Sequence, residues 1–160
     1  MPGRPNAVDT ALRALRYRDR TAAELAARLE QRGVGEAERN QALDTLERLG
    51  YVDDARFARS RAEQLAERSS GDALIRDDLE RRGLAGEIVE LALGALEPER
   101  DRAARIAEHR GRSVKTARYL ASRGFGEEAL DAVVAAEDSE VVGSESFHPK
   151  FSLQARDFPK

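Results

Sequence analysis

The sequence predicts an all-α protein: three tandem three-helix repeats forming an elongated array that is open to curvature. Three observations predict it. One Leu-x-x-Arg-Gly-apolar pattern occurs three times. Apolar residues recur at helical spacing on either side of each copy. The composition is 41% hydrophobic and 36% charged, with no Trp and only 5% aromatic residues, which suits thin Ala/Leu cores better than a β-sandwich.

The repeated pattern is Leu29-Glu30-Gln31-Arg32-Gly33-Val34, then Leu79-Glu80-Arg81-Arg82-Gly83-Leu84, then Leu120-Ala121-Ser122-Arg123-Gly124-Phe125. Its glycines stand 50 and 41 positions apart. Each copy reads as a helix end. Leu anchors the last turn, Gly takes the left-handed conformation that closes the helix, and the apolar residue folds back onto the core. Glu36, Glu87 and Glu127 follow at the start of the next helix, where the macrodipole favours an anion.

The elements follow in order. Residues 7–18 place Val8, Leu12 and Leu15 on one stripe. Thr21-x-x-Glu24 is a capping box that opens a helix with Leu25 and Leu29 four apart. Residues 36–49 carry Leu43, Leu46 and Leu49, and Gly50 ends them. Asp53 is an N-cap candidate for a helix with Phe57, Ala58, Ala62 and Leu65 inward. Ile75 and Leu79 mark the next helix, and Ile88, Leu91, Ala92 and Leu96 the one after. Pro98 suits a first turn, ahead of a helix with Ile106 inward. Ser113 is an N-cap candidate for a helix holding Ala117 and Leu120. Leu130, Val133 and Val134 line the last helix. The repeats are therefore expected at 7–52, 53–97 and 98–137. No such unit should bury a sufficient core alone, so neighbours must stack.

Residues 138–160 carry Gly, Ser and Pro with three Phe residues and no helical period, and are expected to form a flexible tail. No apolar run approaches the ~20 residues of a membrane helix. Met1 to Asp9 lack an apolar signal core, so a cytoplasmic setting is expected. The absence of Cys excludes disulfides and thiolate metal sites.

The formal net charge of −3 argues against a generic polyanion binder, but its distribution is uneven. Residues 100–118 hold seven basic groups against two acids. Arg dominates, with Lys only at 115, 150 and 160; Arg is the better bidentate partner for phosphate or carboxylate. Two groups of candidate partner-binding or DNA-binding residues result. One is Arg56, Arg59, Arg61 and Arg68; the other is Arg102, Arg105, Arg112, Lys115 and Arg118.

Catalysis is not expected, and no cofactor. His109 and His148 have no nucleophile near in sequence, and no Gly-rich phosphate loop is present. Asp53-Asp54 reads as a helix cap plus a first-turn acid rather than a metal pair. Asp77-Asp78 reads as a solvated face. Tyr51 and Phe57 flank the turn at Asp53 and either could stack on a base, but Phe57 lies on the inward stripe and both read as core; Tyr17 and Tyr119 read as the exposed aromatics.

Two stretches carry a resemblance. Leu15-Arg16-Tyr17-Arg18-Asp19-Arg20-Thr21-Ala22-Ala23-Glu24-Leu25 resembles the opening motif of the RecX family. Leu49-Gly50-Tyr51-Val52-Asp53-Asp54-Ala55-Arg56-Phe57-Ala58 resembles that family's Gly-Tyr-x-Asp-Asp-x-x-Phe-Ala stretch, and the three Arg-Gly corners match its repeat. The similarity spans about residues 7–136. It departs at Gly71-Asp72-Ala73-Leu74-Ile75, where the family often has two basic residues before the Ile. The resemblance implies a tandem array of three-helix units acting as a monomer. It implies binding in the groove of the RecA–single-stranded DNA filament, with inhibition of ATPase, strand-exchange and co-protease activities. Recombination and the SOS response would thereby be damped. The alternative is a helical-repeat protein that binds DNA directly. A tetratricopeptide scaffold does not fit the period.

Overall fold

A computed structural model describes residues 6–141 of the chain, with side chains described as far as residue 135. The described residues form nine helices: α1 (Ala7–Leu15), α2 (Ala22–Gln31), α3 (Glu36–Arg48), α4 (Asp54–Glu67), α5 (Asp72–Arg81), α6 (Gly86–Gly94), α7 (Glu99–Arg110), α8 (Val114–Ser122) and α9 (Glu127–Val141). The last helix runs four residues into the segment read as tail, and residues 142–160 lie outside the described part.

Local chemistry sets the helix starts. The side chains of Asn6, Thr21, Asp53 and Ser113 each accept a hydrogen bond from a backbone N–H in the following turn, satisfying donors that the helix cannot. Glu24 does not complete the expected capping box; its carboxylate turns to Arg82 instead.

The repeated pattern is a Schellman corner, three times over. Val34, Leu84 and Phe125 donate their backbone N–H to the carbonyls of Leu29, Leu79 and Leu120, at 3.1, 3.4 and 3.1 Å. The intervening glycines have φ of 74°, 77° and 83°. Leu is therefore the third-last helical residue, Arg the C-cap, Gly the left-handed residue, and the apolar residue the one that returns to the core. The same 6→1 bond joins Ser70 to Leu65 at 3.0 Å, with Ser69 taking the left-handed place at φ 61°.

The helices pack in threes. Every pair within α1–α3, within α4–α6 and within α7–α9 is in contact, and each trio surrounds its own apolar cluster. Leu25, Leu29 and Leu46 are buried in the first, Ile75, Leu79 and Val89 in the second, Leu120, Phe125 and Val133 in the third. This corrects the expectation that a unit has no core of its own. The apolar stripes also shift. On α1 the buried residues are Ala7, Thr10, Ala11 and Ala14, with Val8, Leu12 and Leu15 flanking; small residues let the helix approach its neighbours closely. Leu49 and Leu91 are 62% and 74% exposed. Leu49 is the C-cap of α3, beyond its last helical turn. Leu91 stands about 200° around the helix from buried Val89.

Candidate partner-binding surface

Where the trios meet, polar bonds do the joining. At the first junction, the Thr21 hydroxyl donates to the Arg82 carbonyl at 2.7 Å. The Ala22 N–H donates to the Asp54 carboxylate at 2.9 Å. The Arg82 guanidinium donates to Glu24 at 3.0 Å and to Asp78 at 2.9 Å. At the second junction, the Gly71 N–H donates to the Arg123 carbonyl at 2.8 Å. The Asp72 N–H donates to Glu99 at 2.7 Å, and Arg123 donates to the carbonyls of Ser69 and Arg68. The two junctions thus follow one plan. The corner arginine's carbonyl accepts from the N-cap residue of the previous trio's middle helix. An acid in the first turn of the next trio accepts from that helix's first N–H.

Gly71 shows why this plan needs its residues. A Cβ there would lie 2.3 Å from backbone atoms of Gly124 and Phe125. The Gly71–Ile75 stretch, which departs from the family pattern, is an interface between trios.

Two of the sequence-derived candidates are engaged within the fold, Arg102 at the second junction and Arg61 inside the second trio. Arg102 is 4% exposed. It donates to the Ser70 carbonyl at 2.9 Å and to the Glu97 carbonyl at 3.0 Å, pairs with Asp72, and lies over the Phe125 ring. A guanidinium so enclosed has no face left for a partner, and this corrects the expectation for Arg102. Arg61 is half-buried and holds Asp78 through both Nε and Nη2 at 2.9 Å. Asp78 is accordingly no solvated acid: the bonds from Arg61, followed by those from Arg82, hold its carboxyl far below the usual range against the opposing effect of burial.

The other candidates stay on the surface. Arg56, Arg59, Arg68, Lys115 and Arg118 are exposed, and Arg112 is half-buried. Arg105 is exposed but pairs with Glu97 at 2.6 Å. No carboxylate of the described residues lies within ion-pairing distance of Arg56, Arg59, Arg112, Lys115 or Arg118. The α8 start is basic: its first turn has no acid, and Ser113 caps it ahead of Lys115. The aromatics also redistribute. Tyr17 is exposed as expected, but Tyr119 is half-buried, with the Arg110 guanidinium 3.9 Å from its ring centre. Tyr51, read as core, is 55% exposed. Phe57 is half-buried beneath Arg82.

Tyr51 opens onto a cleft of ≈ 390 Å³ between the first two trios, which sequence reasoning missed. Arg18 and Arg20 from the α1–α2 loop form one wall, and Arg56, Ser60 and Gln64 of α4 the other. The spacing 56, 60, 64 is one helix face and was legible; the opposing loop, more than 30 residues away, was not. Among the described residues, no helix is long and apolar enough to cross a membrane.

Comparison with known proteins agrees with this geometry. The family description "RecX, first three-helix domain" matches residues 7–46, and "RecX, second three-helix domain" matches residues 53–93. The regulatory protein RecX of Halorhodospira halophila is 30% identical over 142 residues, covering 82% of this chain and 88% of the relative. That of Thermus thermophilus is 39% identical over 116 residues, covering 72% and 80%. The crystal structure of RecX from Lactobacillus salivarius superposes with a TM-score of 0.71 at 20% identity, over 85% of this chain and 97% of that one; at that identity it speaks to the fold alone.

Proposed function

The chain belongs to the RecX family, and from that premise we propose that it regulates the RecA–single-stranded DNA filament. In this reading it enters the filament groove as a monomeric array of three three-helix repeats. It inhibits the ATPase, strand-exchange and co-protease activities of RecA, and so damps recombination and the SOS response in the cytoplasm. Homologues carrying the name regulatory protein RecX support a regulatory role.

One observation carries the reading on the structural side. With Arg61, Arg82, Arg102 and Arg123 held by bonds within the fold, Arg56, Arg59, Arg68, Arg105, Lys115 and Arg118 remain exposed, and of these only Arg105 has an acid partner among the described residues. Cations left in this way are free to meet acids of a filament or phosphates of its DNA. Arg56, Arg59 and Arg68 on the second trio would form one contact. Arg105, Arg112, Lys115 and Arg118 on the third would form the other. The work is binding, without catalysis or a cofactor.

The test is DNA-dependent ATP hydrolysis by RecA with this protein added substoichiometrically. Inhibition is expected. No inhibition, together with tight binding to bare DNA, would replace the filament reading with that of a helical-repeat protein acting on DNA directly.

A further inference from the structure

We propose that the cleft between the first two trios is a site for a phosphate ester carrying a flat base, with Arg20 and Arg56 holding the phosphate and Tyr51 stacking on the base. The phosphate could belong to a free nucleotide or to a single strand, and the chemistry of the site is the same. The inference deepens the reading above and rests on it only for nucleic acid as the carrier of the anion.

The cleft's cations divide into two kinds. Arg61 and Arg82 are held by Asp78 and Glu24, and Arg18 pairs with Glu24 at 3.6 Å, so these three already have acid partners. Arg20 and Arg56 are not held in this way. Arg20 makes one long bond, 3.4 Å from Nε to the Ala14 carbonyl. Arg56 makes one of 3.5 Å from Nη2 to the Gly50 carbonyl. No carboxylate of the described residues lies within 4 Å of either guanidinium. Burial, then the neighbouring charges of Arg18 and Arg28, pull the Arg20 pKa below its ordinary value; crowded cations of this kind gain most from an anion between them. Two guanidiniums facing one concavity supply the forked donors that phosphate oxygens accept.

The rest of the wall suits a nucleotide better than an acidic peptide. The Ser60 hydroxyl and Gln64 amide lie one and two turns along the same face as Arg56 and add neutral donors. The Phe57 ring is covered by Arg82 at 5.7 Å, which leaves Tyr51 as the ring open to stacking. Of the two acids on the lining, the Asp53 carboxylate is committed to the Arg56 N–H at 2.8 Å, and Asp19 is on the exposed rim. The volume is within the range of small-ligand sites.

Fluorescence anisotropy with a labelled 15-mer of deoxythymidylate, in the absence of RecA, tests the site on the full chain. The Arg20→Gln/Arg56→Gln variant should bind at least tenfold more weakly than the wild type, with a salt dependence shallower by about 1.4 in log–log slope. Tyr51→Ala should lose about tenfold. Arg48→Gln/Arg81→Gln, which removes two charges from exposed positions outside the cleft, should bind as the wild type does. Circular dichroism verifies that each variant is folded. Competition by deoxythymidine triphosphate at the oligonucleotide's own affinity assigns the site to free nucleotides, and weak competition assigns it to a strand. No oligonucleotide or nucleotide binding by the wild type overturns the proposal, as does equal weakening in both double variants or binding of polyglutamate alone. RecA ATPase inhibition by the same proteins separates the two readings. An inhibitor that binds no nucleotide overturns the cleft and spares the filament reading; a nucleotide binder that does not inhibit does the reverse.

Discussion

Arg102 of α7 donates from Nη1 to the carbonyl of Ser70 at 2.9 Å, across the boundary between the second and third trios. The same guanidinium pairs with Asp72 and bonds the Glu97 carbonyl. One buried cation therefore closes the end of α4, the start of α5 and the turn before α7 together.

Removing it should be costly. Arg102→Ala leaves the Ser70 carbonyl and the Asp72 carboxylate without their partner, and a loss of about 3 kcal/mol in urea unfolding is expected. RecA inhibition per folded molecule should be unchanged, because a buried side chain cannot touch a partner. Loss of inhibition at full folding would return Arg102 to the binding surface.

Glycine substitutions should separate local strain from junction packing. Gly33 has φ of 74° but open space around it, so Gly33→Ala should cost only the left-handed conformation, ~1 kcal/mol. Gly71 has ordinary φ, yet its Cβ would meet Gly124 and Phe125 backbone at 2.3 Å. Gly71→Ala should cost about 3 kcal/mol, the upper range for overpacking, because backbone cannot yield as a side chain does. Equal losses in denaturant unfolding would contradict this account of the junction.

Acid should act on the two junctions with opposite sign. The Asp78 carboxyl is held below its ordinary range by Arg61 and Arg82. Its contribution is present above the usual carboxylate pKa of about 4 and is lost as pH falls below that. Burial pushes the Asp72 carboxyl up in spite of Arg102. Its contribution is present below about pH 4 and is lost as pH rises through the folded-state value. Asp78→Asn should flatten the fall in stability between pH 5 and 2, and Asp72→Asn should steepen it. Thermal melts across that interval check both.

The third trio's basic surface should matter for binding alone. Lys115→Glu/Arg118→Glu reverses two exposed charges beside the acid-free start of α8. Half-inhibition of RecA should then need at least tenfold more protein, with the helical circular dichroism unchanged. Arg105→Glu/Arg112→Glu should act in the same direction but less strongly, since Arg105 already pairs with Glu97 at 2.6 Å. Unchanged inhibition in both would remove this surface from the interface.

The helices and corners were legible because their causes are local. A Schellman corner is settled within six residues, so Leu, Arg, Gly and the following apolar residue announce it each time; the caps at Thr21, Asp53 and Ser113 are settled within four. The α1 stripe was misread because spacing gives a face, while the neighbouring helix decides how closely that face is approached; Leu49 falls beyond the last turn of α3, and Leu91 lies on the side of α6 away from Val89.

What the sequence by itself determined is the all-helical class, the three corners and a surplus of arginine. What only the tertiary structure decided is how that surplus is spent. Arg82 reaches Glu24 58 positions away, Arg123 reaches Ser69 54 away, and Arg102 reaches Asp72 30 away. A guanidinium is the same group in every window of sequence. Whether it is buried as a junction tie or left outward for a partner depends on which carbonyls and carboxylates the fold brings within 3 Å of it. Packing fixes those distances, and residue order does not.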